Sequence, residues 1–112
     1  MKRIIVLCAY RPHSGKEAEL RTLLKVHVPL LREQELASTR PVTLLRSTKD
    51  GTYVEIFEWV SPEASTIAHE KPKVLELWSR LEAVADFLPL QSLNEAAHPF
   101  AHFELIEDLE PG

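Results

Sequence analysis

Gly51–Glu70, GTYVEIFEWVSPEASTIAHE, decides how this chain is read. Asp50-Gly51 between two apolar runs is a hairpin signal. Thr52–Val60 follows as a strand that is apolar on both faces. Ser61-Pro62-Glu63 then supplies an N-cap, a proline at the first helical position and an acid in the first turn. The helix so begun continues to about His69, just before the break at Pro72.

The same pattern extends outward in both directions. Val42–Ser47 is the partner strand of the hairpin. Ile4–Tyr10, rich in Ile and Val, reads as a buried strand that Arg11-Pro12 ends. Ser14 and Glu17 fit a capping box, and the helix after them carries Leu20, Leu23, Leu24, His27, Leu30 and Leu31 on one stripe to about Leu36. Pro29 inside it predicts a kink. After Pro72, Val74, Trp78, Leu81, Ala85 and Leu88 continue a helical stripe that Pro89 closes. Leu90–Pro99 reads as loop with one turn, Phe100–Ile106 as a final strand, and Glu107–Gly112 as a frayed acidic tail.

The resulting order is strand, helix, strand, strand, helix, strand. That is an α+β chain of the ferredoxin-like split βαβ type, with an antiparallel sheet and both helices on one face. At 112 residues it is a single domain, 1–112. In the third strand Tyr53, Glu55, Phe57 and Trp59 point one way and Val54, Ile56, Glu58 and Val60 the other. Two helices cover one sheet face only, so the second apolar face predicts a homodimer with sheets packed together.

Composition narrows the function classes. Thirteen basic against seventeen acidic residues give a net charge of −4, which disfavours nucleic-acid and anionic-membrane partners. No run approaches the roughly 18 apolar residues of a membrane span. MKRIIVLCAY stops short of a signal peptide, so a cytoplasmic protein is expected. The single Cys8 excludes an internal disulfide and reads as a buried, inert thiol. His98 and His102 flank Pro99, which denies them a helical chelating face, so no metal site is expected. No glycine-rich phosphate loop is present.

VEIFEWVSPEASTIAHEKP (Val54–Pro72), supported by PHSGKEAEL (Pro12–Leu20) and PFAHFELI (Pro99–Ile106), resembles the antibiotic biosynthesis monooxygenase-like branch of the dimeric α+β barrel superfamily. The resemblance implies a barrel-type dimer whose pocket lies between sheet and helices. It also implies a cofactor-independent oxygenase acting on a small aromatic or quinol-like metabolite, with no bound cofactor. The strand-ending Trp of that branch matches Trp59, and its helical His matches His69. Haem-degrading relatives carry an Asn on the first strand, absent here, and a helical Trp and His at positions falling near Ala68 and Trp78. Haem degradation is therefore disfavoured.

Glu55, between Tyr53 and Phe57, suits a general base if it is stripped of water. The competing reading pairs it with Arg46 across the hairpin. His69 can orient or deprotonate a phenol, or merely cap helix-end carbonyls. Tyr10, Phe57, Trp59 and Trp78 are candidate ligand-binding walls, with plain core packing as the alternative, above all for Trp78. His27 reads as a satisfied core histidine rather than a catalyst. The second function class is a non-catalytic small-molecule-binding or stress-associated dimeric barrel, and an isomerase on the same scaffold is a third.

Overall fold

The computed structural model describes residues 2–106, so the acidic tail lies outside the described residues. Five strands form one antiparallel sheet: β1 (Ile4–Pro12), β2 (Thr43–Arg46), β3 (Tyr53–Trp59), β4 (Ala85–Leu88) and β5 (Glu104–Ile106). Their spatial order is β4-β1-β3-β2-β5. Helices α1 (Glu17–Glu33), α2 (Ala64–Ala68) and α3 (Pro72–Val84) supply the second layer. The ferredoxin-like α+β class is the fold observed.

Local chemistry explains most element ends. At the β2–β3 turn Gly51 takes φ +76°, the left-handed region that a Cβ disfavours. Ser47 N–H donates to the Thr52 carbonyl at 2.7 Å to close the hairpin. Gly15 takes φ +74°, and Lys16 N–H turns back to the His13 carbonyl at 2.9 Å. That turn moves the start of α1 past Ser14, so the expected capping box does not form and Lys16 is the N-cap. Similarly, Ser61 and Pro62 form a turn closed by Ala64 N–H on the Ser61 carbonyl, and α2 starts two residues later than the motif suggests, with Glu63 as its N-cap. Helix α1 runs through Pro29 and ends at Glu33. Leu36 N–H returns to the Leu31 carbonyl at 2.8 Å, with Glu35 at φ +63° making the turn.

The fourth strand corrects the sequence expectation. The helical stripe reads through Leu88, yet α3 stops at Val84 and Ala85 is fully extended (φ −153°, ψ 155°). Ala85–Leu88 pairs with β1, Tyr10 facing Phe87 and Pro12 facing Ala85. A four-residue apolar stretch fits either period, and the free edge of β1 decides between them. The strand expected to close the split βαβ unit, near the C-terminus, is instead a fifth strand beside β2.

The core between sheet and helices falls into two apolar clusters. One gathers Tyr10, Leu20, Leu24, Leu44, Tyr53, Leu81 and Val84, and the other Val28, Leu31, Phe57, Trp59, Ala64, Ala68 and Val74. Cys8 and Trp78 pack against both. On the opposite sheet face Leu93, between the two short 3₁₀ segments after β4 (Leu90–Ser92 and Asn94–Ala97), packs onto Ala9 and Val54. The chain thus covers part of the face expected to be bare. Ile5, Leu7 and Leu105 stay exposed on the remainder.

Candidate functional site

Where the two core clusters meet, the apolar contacts are interrupted by a buried polar seam. Register in the sheet sets Cys8 opposite Glu55 and Tyr10 opposite Tyr53, with all four side chains toward the helices. From the other side α1 presents His27, one turn from Leu24 and Leu31 on its buried stripe. Glu55 is wholly inaccessible (0%) and His27 is 2% exposed. The two meet with His27 Nδ1 3.0 Å from both carboxylate oxygens, and Tyr10 OH donates to Glu55 Oε1 at 2.8 Å.

The other ring nitrogen fixes the proton positions. Trp78 Nε1 lies 2.9 Å from His27 Nε2. An indole N–H only donates, so Nε2 carries a lone pair and Nδ1 carries the hydrogen directed at Glu55. The chain runs from Trp78 through His27 to Glu55, with Tyr10 donating from the opposite side. A buried carboxylate without such donors would cost several kcal/mol in desolvation. Burial first and the Glu55 charge second push the Tyr10 hydroxyl well above its ordinary range, and the same two causes raise the Cys8 thiol to about 12.

The seam forms one wall of a cavity of about 470 Å³ between the sheet and α1–α3. Tyr10, Phe57, Trp59, Trp78 and Phe87 give it aromatic walls, and Cys8, His27, Ser65, His69 and Glu82 give it polar ones. Its size falls in the range of small-molecule sites. Phe87 meets Tyr10 edge-on at 5.2 Å, Phe57 meets Trp59 at 5.0 Å, and His69 meets Trp78 at 4.9 Å. A groove of comparable volume outside α1 and α3 is lined by Val26, Pro29, Leu30, Leu77 and four charged residues, with no aromatic ring and no imidazole.

Each residue singled out in the sequence has a definite place. Tyr10, Phe57, Trp59, Trp78 and His69 all line the cavity. Glu55 does not: it lies behind Tyr10 and His27. Its expected alternative partner is also ruled out, because Arg46 bonds Glu17 at 2.8 Å and Glu104 at 2.9 Å. His69 is exposed and its Nδ1–H donates to the Ser65 carbonyl at 2.8 Å. His27, read from the sequence as a satisfied core histidine, is buried with both ring nitrogens bonded, and it also lines the cavity, which the sequence reading did not anticipate. Its signal was a polar side chain in a leucine stripe, facing a polar side chain in an aromatic strand. Among the described residues no three His, Cys, Asp or Glu side chains converge in a way that could hold a metal ion. No helix among them is long and apolar enough to cross a membrane.

Comparison with solved structures places this architecture. SnoaB, a cofactor-independent oxygenase from Streptomyces nogalater, superimposes with a TM-score of 0.67 at 24% identity, over 79% of this chain and 88% of that one. Rv0793 from Mycobacterium tuberculosis gives 0.60 at 20% identity, over 85% and 99%. The chain has their fold. No family model matches the sequence, and no curated protein does. The resemblance read from Val54–Pro72 therefore holds at the level of architecture.

Proposed function

We propose that this chain binds a small hydroxylated aromatic molecule in the cavity and oxidises it with molecular oxygen, without a resident cofactor. The observation that carries this reading is the cavity wall itself. Five aromatic rings line a partly open cavity of about 470 Å³, with two imidazoles set among them. Flat apolar walls select a planar ligand, and an imidazole is the side chain suited to accepting a phenolic proton near neutral pH. The fold shared with an oxygenase supports the same choice.

The chemistry balances without a protein-borne oxidant. A wall base takes the hydroxyl proton, and the electron-rich anion gives one electron to oxygen. Recombination of the radical pair forms a carbon–oxygen bond, and loss of water from the peroxide leaves a quinone. One oxygen atom enters the product and the other leaves in water. His69 orients the ligand at the rim, Tyr10, Phe57, Trp59 and Trp78 hold its plane, and Glu55 contributes from behind the wall. The aromatic walls present an apolar surface to the intermediates, and the ligand itself displaces water from it. The working unit is a homodimer, its exposed Ile5, Leu7 and Leu105 covered by the second copy's sheet.

Oxygen uptake with a dihydroxynaphthalene tests this directly. One oxygen consumed per quinone formed, by protein treated with chelator and free of flavin absorbance, is the expected result. Saturable binding with uptake no faster than buffer would refute the oxygenase. The second reading, a non-catalytic binder, would then take its place. One feature favours that reading: both ring nitrogens of His27 and the Tyr10 hydroxyl are already engaged within the wall.

A further inference from the structure

We propose that His27 is the group that takes a proton from a ligand in this cavity, with Glu55 as its positioning residue and the Trp78 indole as the donor that a ligand hydroxyl displaces from Nε2. This rests on the cavity's being a site for hydroxylated aromatics, and it assigns the base within that site.

Three observations single out His27 over His69. First, its tautomer is set. Trp78 Nε1–H donates to Nε2, so the lone pair sits on the nitrogen shared with a cavity-lining ring. Second, its Nδ1–H faces both oxygens of a carboxylate at 3.0 Å, and that carboxylate is braced by Tyr10 OH at 2.8 Å. An imidazolium formed there meets a fixed negative charge in a site with little water. Third, His69 Nδ1–H faces only the neutral Ser65 carbonyl, and its ring is exposed. A proton arriving on His69 gains no ion pair. The arrangement at His27 follows the logic of an oriented base: carboxylate, imidazole, then an acceptor nitrogen that the Trp78 indole occupies until a reacting group displaces it.

The step needs one local movement. A ligand hydroxyl approaches Nε2 and the indole N–H of Trp78 leaves that nitrogen for the ligand oxygen. The ligand O–H bond breaks with its electron pair left on oxygen, and the Nε2–H bond forms. Trp78 and the imidazolium then both donate to the anionic oxygen, and net charge is unchanged. The indole thus exchanges a neutral acceptor for an anionic one, which strengthens its hydrogen bond only when the proton has moved. The other titratable groups around this cavity are Cys8 and Tyr10 from β1, Glu55 from β3, His69 beyond α2 and Glu82 from α3.

The test uses 4-nitro-1-naphthol, whose absorption moves to longer wavelength when it ionises. At a fixed pH near neutrality the bound probe should show a ratio of ionised to neutral form at least about tenfold higher in the wild type than in H27Q or E55Q. Both variants should still quench Trp fluorescence on binding. Because either substitution can unsettle the buried seam, the wild type is also examined alone. In protein labelled with ¹⁵N-histidine, His27 Nε2 should change from a bare to a protonated nitrogen on adding probe, while His69 stays as it was. Protonation of His69 instead, or ionisation preserved in H27Q, would overturn the assignment and leave the aromatic site standing. A wild type that does not bind the probe would overturn both.

Discussion

Tyr10→Phe isolates the brace on Glu55. The substitution removes one oxygen and keeps the ring, so the edge-on contact with Phe87 and the packing in the core persist. What is lost is an O–H donated at 2.8 Å to a carboxylate, with Tyr10 3% and Glu55 0% exposed. A hydrogen bond to a charged group contributes about 1.5–3 kcal/mol, and no water reaches this one to replace it. A loss of about 2 kcal/mol is expected, near a fifth of a typical domain's stability. That corresponds to a fall in Tm of roughly 8–12 °C for a domain of this size. Tyr53→Phe is the matched control. Its hydroxyl bonds Glu17, whose side chain is 46% exposed, so solvent substitutes and about 0.5 kcal/mol is expected. Equilibrium urea unfolding at one fixed protein concentration reads both, since association would otherwise shift the midpoint. Equal losses in the two variants, at unchanged m, would refute the claim that the Tyr10–Glu55 bond is sealed from water and structurally dominant.

The remaining expectations probe other links. Cys8, raised from 9.0 to about 12, should be alkylated by iodoacetamide at pH 8 about 1,000-fold more slowly than a free thiol, through its thiolate fraction. Glu55→Gln should speed that reaction by removing one of the two raising causes, and labelling of wild type at the rate of a small thiol would contradict the raised thiol of this half-buried residue. Hydrogen bonds from Tyr53 and then Arg46 lower the Glu17 carboxyl below 4.5 in the folded chain. Its stabilising contribution is therefore complete above the ordinary glutamate value and lost as pH falls through the lowered folded one. Glu17→Gln should flatten stability against pH below 4.5, and an unchanged acid limb would count against the pair. Glu35→Gly should stabilise by about 0.5–1 kcal/mol, because φ +63° costs an L-residue what glycine avoids; a loss in thermal unfolding would contradict this. Light scattering should report two chains for wild type and one for Leu7→Glu, whereas a wild-type monomer at micromolar concentration would remove the dimer.

Short-range chemistry made much of this chain legible as a string. Asp50-Gly51 needs a left-handed residue where a tight hairpin turns, and it has one. Alternation in Thr52–Val60 put Tyr53, Glu55, Phe57 and Trp59 on one face because the pleat has a period of two, whatever the sheet's neighbours. The stripe of Leu20, Leu24 and Leu31 committed α1 to one buried face for the same kind of reason. Those periodicities gave most of the element types and the class of fold, and they marked most of the aromatic cavity wall.

What they left open depends on pairings across long separations. Ala85–Leu88 became a strand because β1 had a free edge, a fact with no signature inside those four residues. Leu93 covered Ala9 and Val54 because the chain returned beneath the sheet after β4. Above all, His27 and Glu55 lie 28 residues apart. Each alone is one polar residue on an apolar face, whose meaning comes only from what stands opposite. By itself the sequence determined the faces, since local geometry repeats along the chain. The tertiary structure alone decided that a carboxylate, an imidazole and an indole meet at one cavity wall, because hydrogen bonding depends on distance in space.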